Sequence, residues 1–115
     1  MSKENRNRFG LTERDMETIL GIFKKHPDIK QVKIFGSRAK GNYHIGSDID
    51  LAIVNPGLQT DTLRQLAVDF EESALPYKAD IIHIPAITHP ELLDHIQRVG
   101  IVIYDTITSS ETVLK

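Results

Sequence analysis

The residues best able to do chemistry lie in two short stretches, Gly36-Ser37-Arg38-Ala39-Lys40-Gly41 and Ser47-Asp48-Ile49-Asp50-Leu51. The first follows an apolar segment, Val32-Lys33-Ile34-Phe35, and the second opens another. Side chains two apart on a strand share a face. A strand over Asp48–Val54 therefore projects both carboxylates together and turns Ile49, Leu51 and Ile53 the opposite way. Two adjacent carboxylates repel unless a positive charge separates them. A divalent cation meets that need with oxygen ligands, and a glycine-serine turn nearby can hold the phosphates such a cation carries. The turn is not a Walker A loop, since Asn42 follows Gly41, nor a dinucleotide fingerprint. Taken alone, it also reads as a plain turn, and both carboxylates as residues at the strand's exposed mouth, with Asp48 serving as a turn or cap residue.

A third acid, Asp80, sits inside Lys78-Ala79-Asp80-Ile81-Ile82-His83-Ile84. An unpaired acid in so apolar a strand is costly to bury. Placed across a sheet from Asp48 and Asp50, it completes a cluster. Asp69, Glu71 and Glu72 read instead as the wet face of a helix. Arg38 and Lys40 add positive charge near phosphates or form surface salt bridges. Tyr43 and His44, in the loop before the carboxylates, reach a base or sugar or lie in solvent. His83 reads as a core or edge histidine pointing away from Asp80, and the five histidines show no metal-ligand spacing.

The elements that must position these groups follow from periodicity. Thr12 is the expected N-cap of a helix whose apolar stripe is Met16, Ile19, Leu20 and Phe23, ended by His26-Pro27-Asp28. Gln31–Phe35 reads as a strand, Ser37–Lys40 as one helical turn, and Asp48–Val54 as the second strand, closed by Asn55-Pro56-Gly57. Leu63, Leu66, Ala67, Phe70 and Ala74 recur at helical spacing over Thr60–Ala74. Tyr77–Ile84 is a third strand, stopped by Pro85. Thr88-His89-Pro90-Glu91 has capping-box spacing for a helix carrying Leu92, Leu93, Ile96 and Val99, with Gly100 as its stop. Ile101–Tyr104 is the last strand. The order α-β-(turn)-β-α-β-α-β is an α/β layer arrangement.

With 115 residues the chain is expected to form one domain over 1–115, with its core at about 12–105 and a polar tail at 106–115. It has no cysteine, hence no disulfide or thiolate metal site, which fits a reducing cytoplasm. No apolar signal core or membrane-length run is present, so a soluble, cytoplasmic protein is expected. The net charge of −2 divides into about +5 over residues 1–41 and about −7 over the remainder. Such a balance argues against a domain that grips long nucleic acid.

The joint pattern resembles the DNA polymerase β-type nucleotidyltransferase superfamily. It comprises the glycine-serine turn, the Asp48-Ile49-Asp50 motif about a dozen residues on, and Asp80 in a later strand. The compact length points to the minimal nucleotidyltransferase (MNT) branch, with a palm-like mixed sheet of about four strands packed with helices, an α/β (α+β) fold. The resemblance implies that Gly36 and Ser37 bind the β- and γ-phosphates of a nucleoside triphosphate, with Arg38 and Ser47 alongside. It implies that Asp48, Asp50 and Asp80 hold two Mg2+ ions, and that Asp80 accepts the proton of an acceptor hydroxyl. A nucleoside monophosphate, AMP from ATP, then passes to the acceptor and pyrophosphate leaves.

Larger members of the superfamily carry a further domain for the acceptor, for which this chain has no length. A small acceptor or a second polypeptide is then expected to supply the missing wall. MNT proteins are often paired with a helical HEPN toxin, which makes this chain the expected antitoxin, modifying a tyrosine of its partner or binding it. Two other readings compete: a non-catalytic module that masks the toxin, and a small-molecule transferase of the aminoglycoside-modifying kind.

Overall fold

The computed structural model describes residues 5–106. Four helices, α1 (Glu13–Lys24), α2 (Gly36–Lys40), α3 (Thr62–Glu71) and α4 (Pro90–Val99), alternate with four strands. The strands are β1 (Gln31–Phe35), β2 (Ile49–Ile53), β3 (Ala79–His83) and β4 (Ile101–Asp105). They form one mixed sheet in the order β3-β2-β1-β4, in which β1 runs antiparallel to β2 and β4 while β2 and β3 are parallel. This is the small α/β domain expected from the pattern, and the β1, α2 and β2 boundaries fall within a residue of expectation.

Alternation sorts the sheet into two unlike faces. Val32 and Ile34 of β1 and Ile49, Leu51 and Ile53 of β2 point to one face, where they are fully buried against Ile19, Ile22 and Phe23 of α1 and Leu66 and Phe70 of α3. Phe23 centres this core, with its ring 5.7 Å from those of Phe70 and Tyr104. Phe9 and Leu11 are buried in the same cluster, so the core starts before residue 12. The second face holds a smaller cluster, Phe35, Ala52 and Ile96, extended by Ile82, Ile84, Ile87, Leu92 and Val99. Asp50 and Asp80 occupy the same alternation as Ala52 and Ile82, so the acids lie on this second face.

Local chemistry explains the boundaries. Thr12 caps α1 as expected, and its box is reciprocal: Asp15 N–H donates to Thr12 Oγ1, and Thr12 N–H donates to Asp15 Oδ2, both at 3.0 Å. Asn55, buried at the turn after β2, accepts from the N–H groups of Lys30 and Gln31 and donates to the carbonyls of Asp28 and Pro56. It thereby ties the exit of β2 to the entry of β1. His83 Nε2 lies 2.8 Å from the Asn55 carbonyl, which can only accept, so the ring donates there and serves the fold.

Two expectations need correction. The box at Thr88-Glu91 does not form: α4 starts at Pro90, whose fixed φ suits the first helical position, with His89 as N-cap and no side-chain capping bond. The stripe on α3 is narrower than its periodicity suggested. Leu63 is 38% exposed and Ala67 is also exposed. Only Leu66 and Phe70 reach the core, and the helix ends at Glu71, before the exposed Ala74. Thr106, the first residue of the expected polar tail, bonds back to the Lys30 carbonyl; the rest of that tail, like residues 1–4, lies outside the described residues. Among the described residues no helix is long and apolar enough to cross a membrane.

Candidate active site

The sheet's second face brings the carboxylates together. Asp50 stands in register with Asp80 across the parallel β2–β3 pair and with Phe35 across the antiparallel β1–β2 pair. Asp48 immediately precedes β2 and is exposed, as is Asp80, whereas Asp50 is half-buried between them. The electrostatics report this crowding. Burial first, then the negative charges of Asp80 and Asp48, push the Asp50 carboxyl above its usual range, while His95 acts in the opposite sense.

The glycine-serine turn meets the same point. Gly36 follows Phe35 directly, with φ +76°, a conformation that side-chain-bearing residues rarely adopt. A Cβ placed there would run into Asp50 Oδ2, so glycine is required both by the backbone and by the carboxylate. Phe35, at the N-cap of α2, has no side chain able to accept from the first-turn N–H groups. Ser37 begins the turn beside them, half-buried. The arrangement sets anion-binding donors against an acidic cluster, which suits a phosphate carried on a cation.

The donor set fits a hard divalent ion. Asp48, Asp50 and Asp80 offer oxygen ligands only, and phosphate and water ordinarily complete the shell of such an ion. Among the described residues no three acidic or histidine side chains are already gathered into a cage.

Arg38 and Ser47 bond to the backbone beside this cluster. Arg38 is 2% exposed, so it forms no surface salt bridge of the kind expected. Its Nε and Nη2 donate to the Ser47 carbonyl at 3.1 and 2.9 Å, and its Nη1 donates to the Phe9 carbonyl at 2.8 Å. The guanidinium carbon lies over the rings of Tyr77 and Tyr43, 4.4 and 5.2 Å from their centroids. Ser47 Oγ accepts from His44 N–H at 2.8 Å and so closes the loop before Asp48. Lys40 is exposed at the end of α2. Tyr43 packs over Gly10 and Arg38, while His44 is exposed.

Sequence reasoning missed His95. Its ring meets that of Phe35 edge-on at 6.1 Å, and its charge acts on Asp50. No spacing along the chain announces it, because α4 reaches Asp50 only through the packing of that helix on the second face.

Residues 17–108 match the sequence profile of the family described as Polymerase beta, Nucleotidyltransferase, and the chain belongs to that family. No match was found among curated proteins. Among solved structures, a chain of a toxin–antitoxin complex with AMP-PNP superposes with a TM-score of 0.65 at 23% identity, over 84% of this chain and 78% of that one. A chain of the toxin–antitoxin complex MntA-HepT gives 0.62 at 19% identity, over 88% and 79%. A chain from the tri-AMPylated Shewanella oneidensis HEPN toxin in complex with MNT antitoxin gives 0.61 at 20% identity, over 87% and 77%. The fold is therefore shared with these proteins.

Proposed function

We propose that the chain is a Mg2+-dependent nucleotidyltransferase that moves AMP from ATP to a hydroxyl of a HEPN-type partner protein, and so acts as its antitoxin. The observation that carries this reading is the in-register pair Asp50–Asp80 beside the Gly36 turn. Family membership supports nucleotidyl transfer as the reaction class, and the AMPylated toxin in a complex of similar fold supports the protein acceptor. The AMP-PNP in another such complex supports ATP.

Each residue then has a task. Gly36 lets the triphosphate approach the backbone, and the first N–H groups of α2 with the Ser37 hydroxyl hold its β- and γ-phosphates. Asp48, Asp50 and Asp80 would hold the divalent ions, which when bound neutralise the triphosphate and make the acceptor hydroxyl more acidic. Asp80, exposed at the sheet edge, accepts the proton of that hydroxyl. The freed oxygen bonds to the α-phosphorus as the bond to pyrophosphate breaks. Asp50, half-buried, fixes the geometry, which is the main lever in phosphoryl transfer. The whole 1–115 chain serves as one catalytic domain and works in the cytoplasm.

The test is α-labelled ATP with Mg2+ and the purified chain in lysate from its own source, against Asp48→Ala/Asp50→Ala. A protein band labelled by the wild type alone is the expected result, and mass spectrometry then identifies the acceptor. Equal labelling by the double variant overturns the reading. Neutralisation of the partner by an unlabelling double variant at stoichiometric amounts assigns the biological role to binding.

A further inference from the structure

We propose that Arg38 is a positioning residue, which from inside the protein holds the backbone that carries Asp48. This rests on the reading of Asp48 as part of the catalytic cluster. Asp50 and Asp80 lie within β2 and β3 and are fixed by the ladder between them. Asp48 lies just outside that ladder, so its place depends on the loop leading into it. Arg38 grips that loop at its last residue, with two N–H groups on the Ser47 carbonyl.

The same guanidinium joins several segments around the site. It rises from α2, two residues after Gly36, and holds the N-terminal segment through the Phe9 carbonyl. It also lies over the rings of Tyr43 of the 41–47 loop and of Tyr77, three residues before Asp80. A second arginine, Arg6, donates to the hydroxyl of Tyr77 and to the Gly10 carbonyl, bracing the outer ring. A buried cation is expensive, and no carboxylate pairs with Arg38 in any of the ion pairs among the described residues. The neutral acceptors and ring faces that surround it require a flat, forked donor, which lysine cannot supply. The cost is accounted for if the fork sets the register of the loop, since filling space alone would need no charge.

The experiment compares wild type with Arg38→Lys and, as a milder change, Tyr43→Leu, which removes one ring face without touching the fork. Amide hydrogen exchange reads position directly. Exchange at Ser47 and Ile49, the hydrogen-bonded amides on either side of Asp48, should quicken at least about tenfold in Arg38→Lys, with the amides of Asp50 and Asp80 unchanged and Tyr43→Leu intermediate. In AMP transfer, kcat should fall about 10- to 100-fold while the KM for ATP stays within about twofold. A raised KM with kcat intact returns Arg38 to the phosphates and overturns the proposal. So does exchange quickened evenly over the sheet, which marks a merely structural residue. If the wild type transfers no AMP, the functional reading fails, and the exchange pattern still judges Arg38.

Discussion

Gly36 and Asp50 define each other at atomic range. The missing Cβ of the glycine is the space that the Asp50 carboxylate fills, and the φ of +76° is independently hostile to any other residue. Gly36→Ala should therefore lose about 1–2 kcal/mol of stability from backbone strain and displace the carboxylate as well. Thermal unfolding reads the first effect and AMP transfer the second; unchanged transfer would show that Asp50 has room to spare. Asp50→Asn should separate the same two quantities in opposite directions. Burial and then the neighbouring acids raise the Asp50 carboxyl above its ordinary 3.8, so the fold disfavours its charged form. That penalty is absent in acid, grows as pH rises from 3.8 through the raised value, and persists at neutrality. The ion-free asparagine variant should be at least as stable as wild type at neutral pH and gain nothing in acid, while transfer is lost. Denaturant midpoints at the two pH values check this, and a clear loss at neutrality contradicts it. Asp50 and Asp80 stood out in the sequence because residues so ill-suited to strand interiors need a reason to be there, and the glycine-serine turn because it stops an apolar strand. The burial of Arg38 was not legible, because its partners, Phe9, Tyr43, Ser47 and Tyr77, are gathered only by the fold.

Between elements, the least local feature is how α3 begins. Its N-cap residue, Asp61, makes no capping bond. Asp28, on the approach to β1, instead ties down the segment leading into the helix: its Oδ2 takes Gln59 N–H at 2.9 Å and Thr62 Oγ1–H at 2.5 Å. Asp28→Ala should thus cost about 1–2 kcal/mol, in the range of lost hydrogen bonds to a charged group, and Asp61→Ala close to nothing. Equal effects in denaturant unfolding would show that the tie from Asp28 carries no weight. Periodicity found α3 but could not rank its faces. Leu63 and Leu66 look alike in the sequence, yet only Leu66 meets the sheet and α1. The strands were clearer, since Val32, Ile34, Leu51 and Ile53 alternate over a face that is wholly dry.

At the scale of the whole molecule, two ionised aspartates bind the α1–β1 junction to α3. His26 at that junction donates to Asp69 Oδ2 at 2.8 Å, with Lys25 3.8 Å from Oδ1. Asp28 receives the start of the same helix. The bond from His26 holds the Asp69 carboxyl below its ordinary 3.8. For Asp28, burial pushes upward, but the bonds from Thr62 and Gln59 prevail and the carboxyl is also lowered. A lowered acid contributes stability that is complete above its unfolded value and is lost as pH falls through the folded one. Below 3.8 both ties weaken together, and the apolar contact of Phe70 with Phe23 is left to hold α3 on α1. Asp50 works against this trend, because acid relieves its repulsion, so the site becomes less strained as the seam opens. The denaturation midpoint should therefore be flat near neutrality and drop through the acid range. The Asp28→Asn/Asp69→Asn variant should start lower at neutral pH and lose much of that acid dependence. A variant with the full wild-type acid slope would place the acid-sensitive contacts elsewhere. The expected outcome instead divides the molecule into a seam that depends on its carboxylates being charged and a candidate site in which the charge of Asp50 opposes the fold.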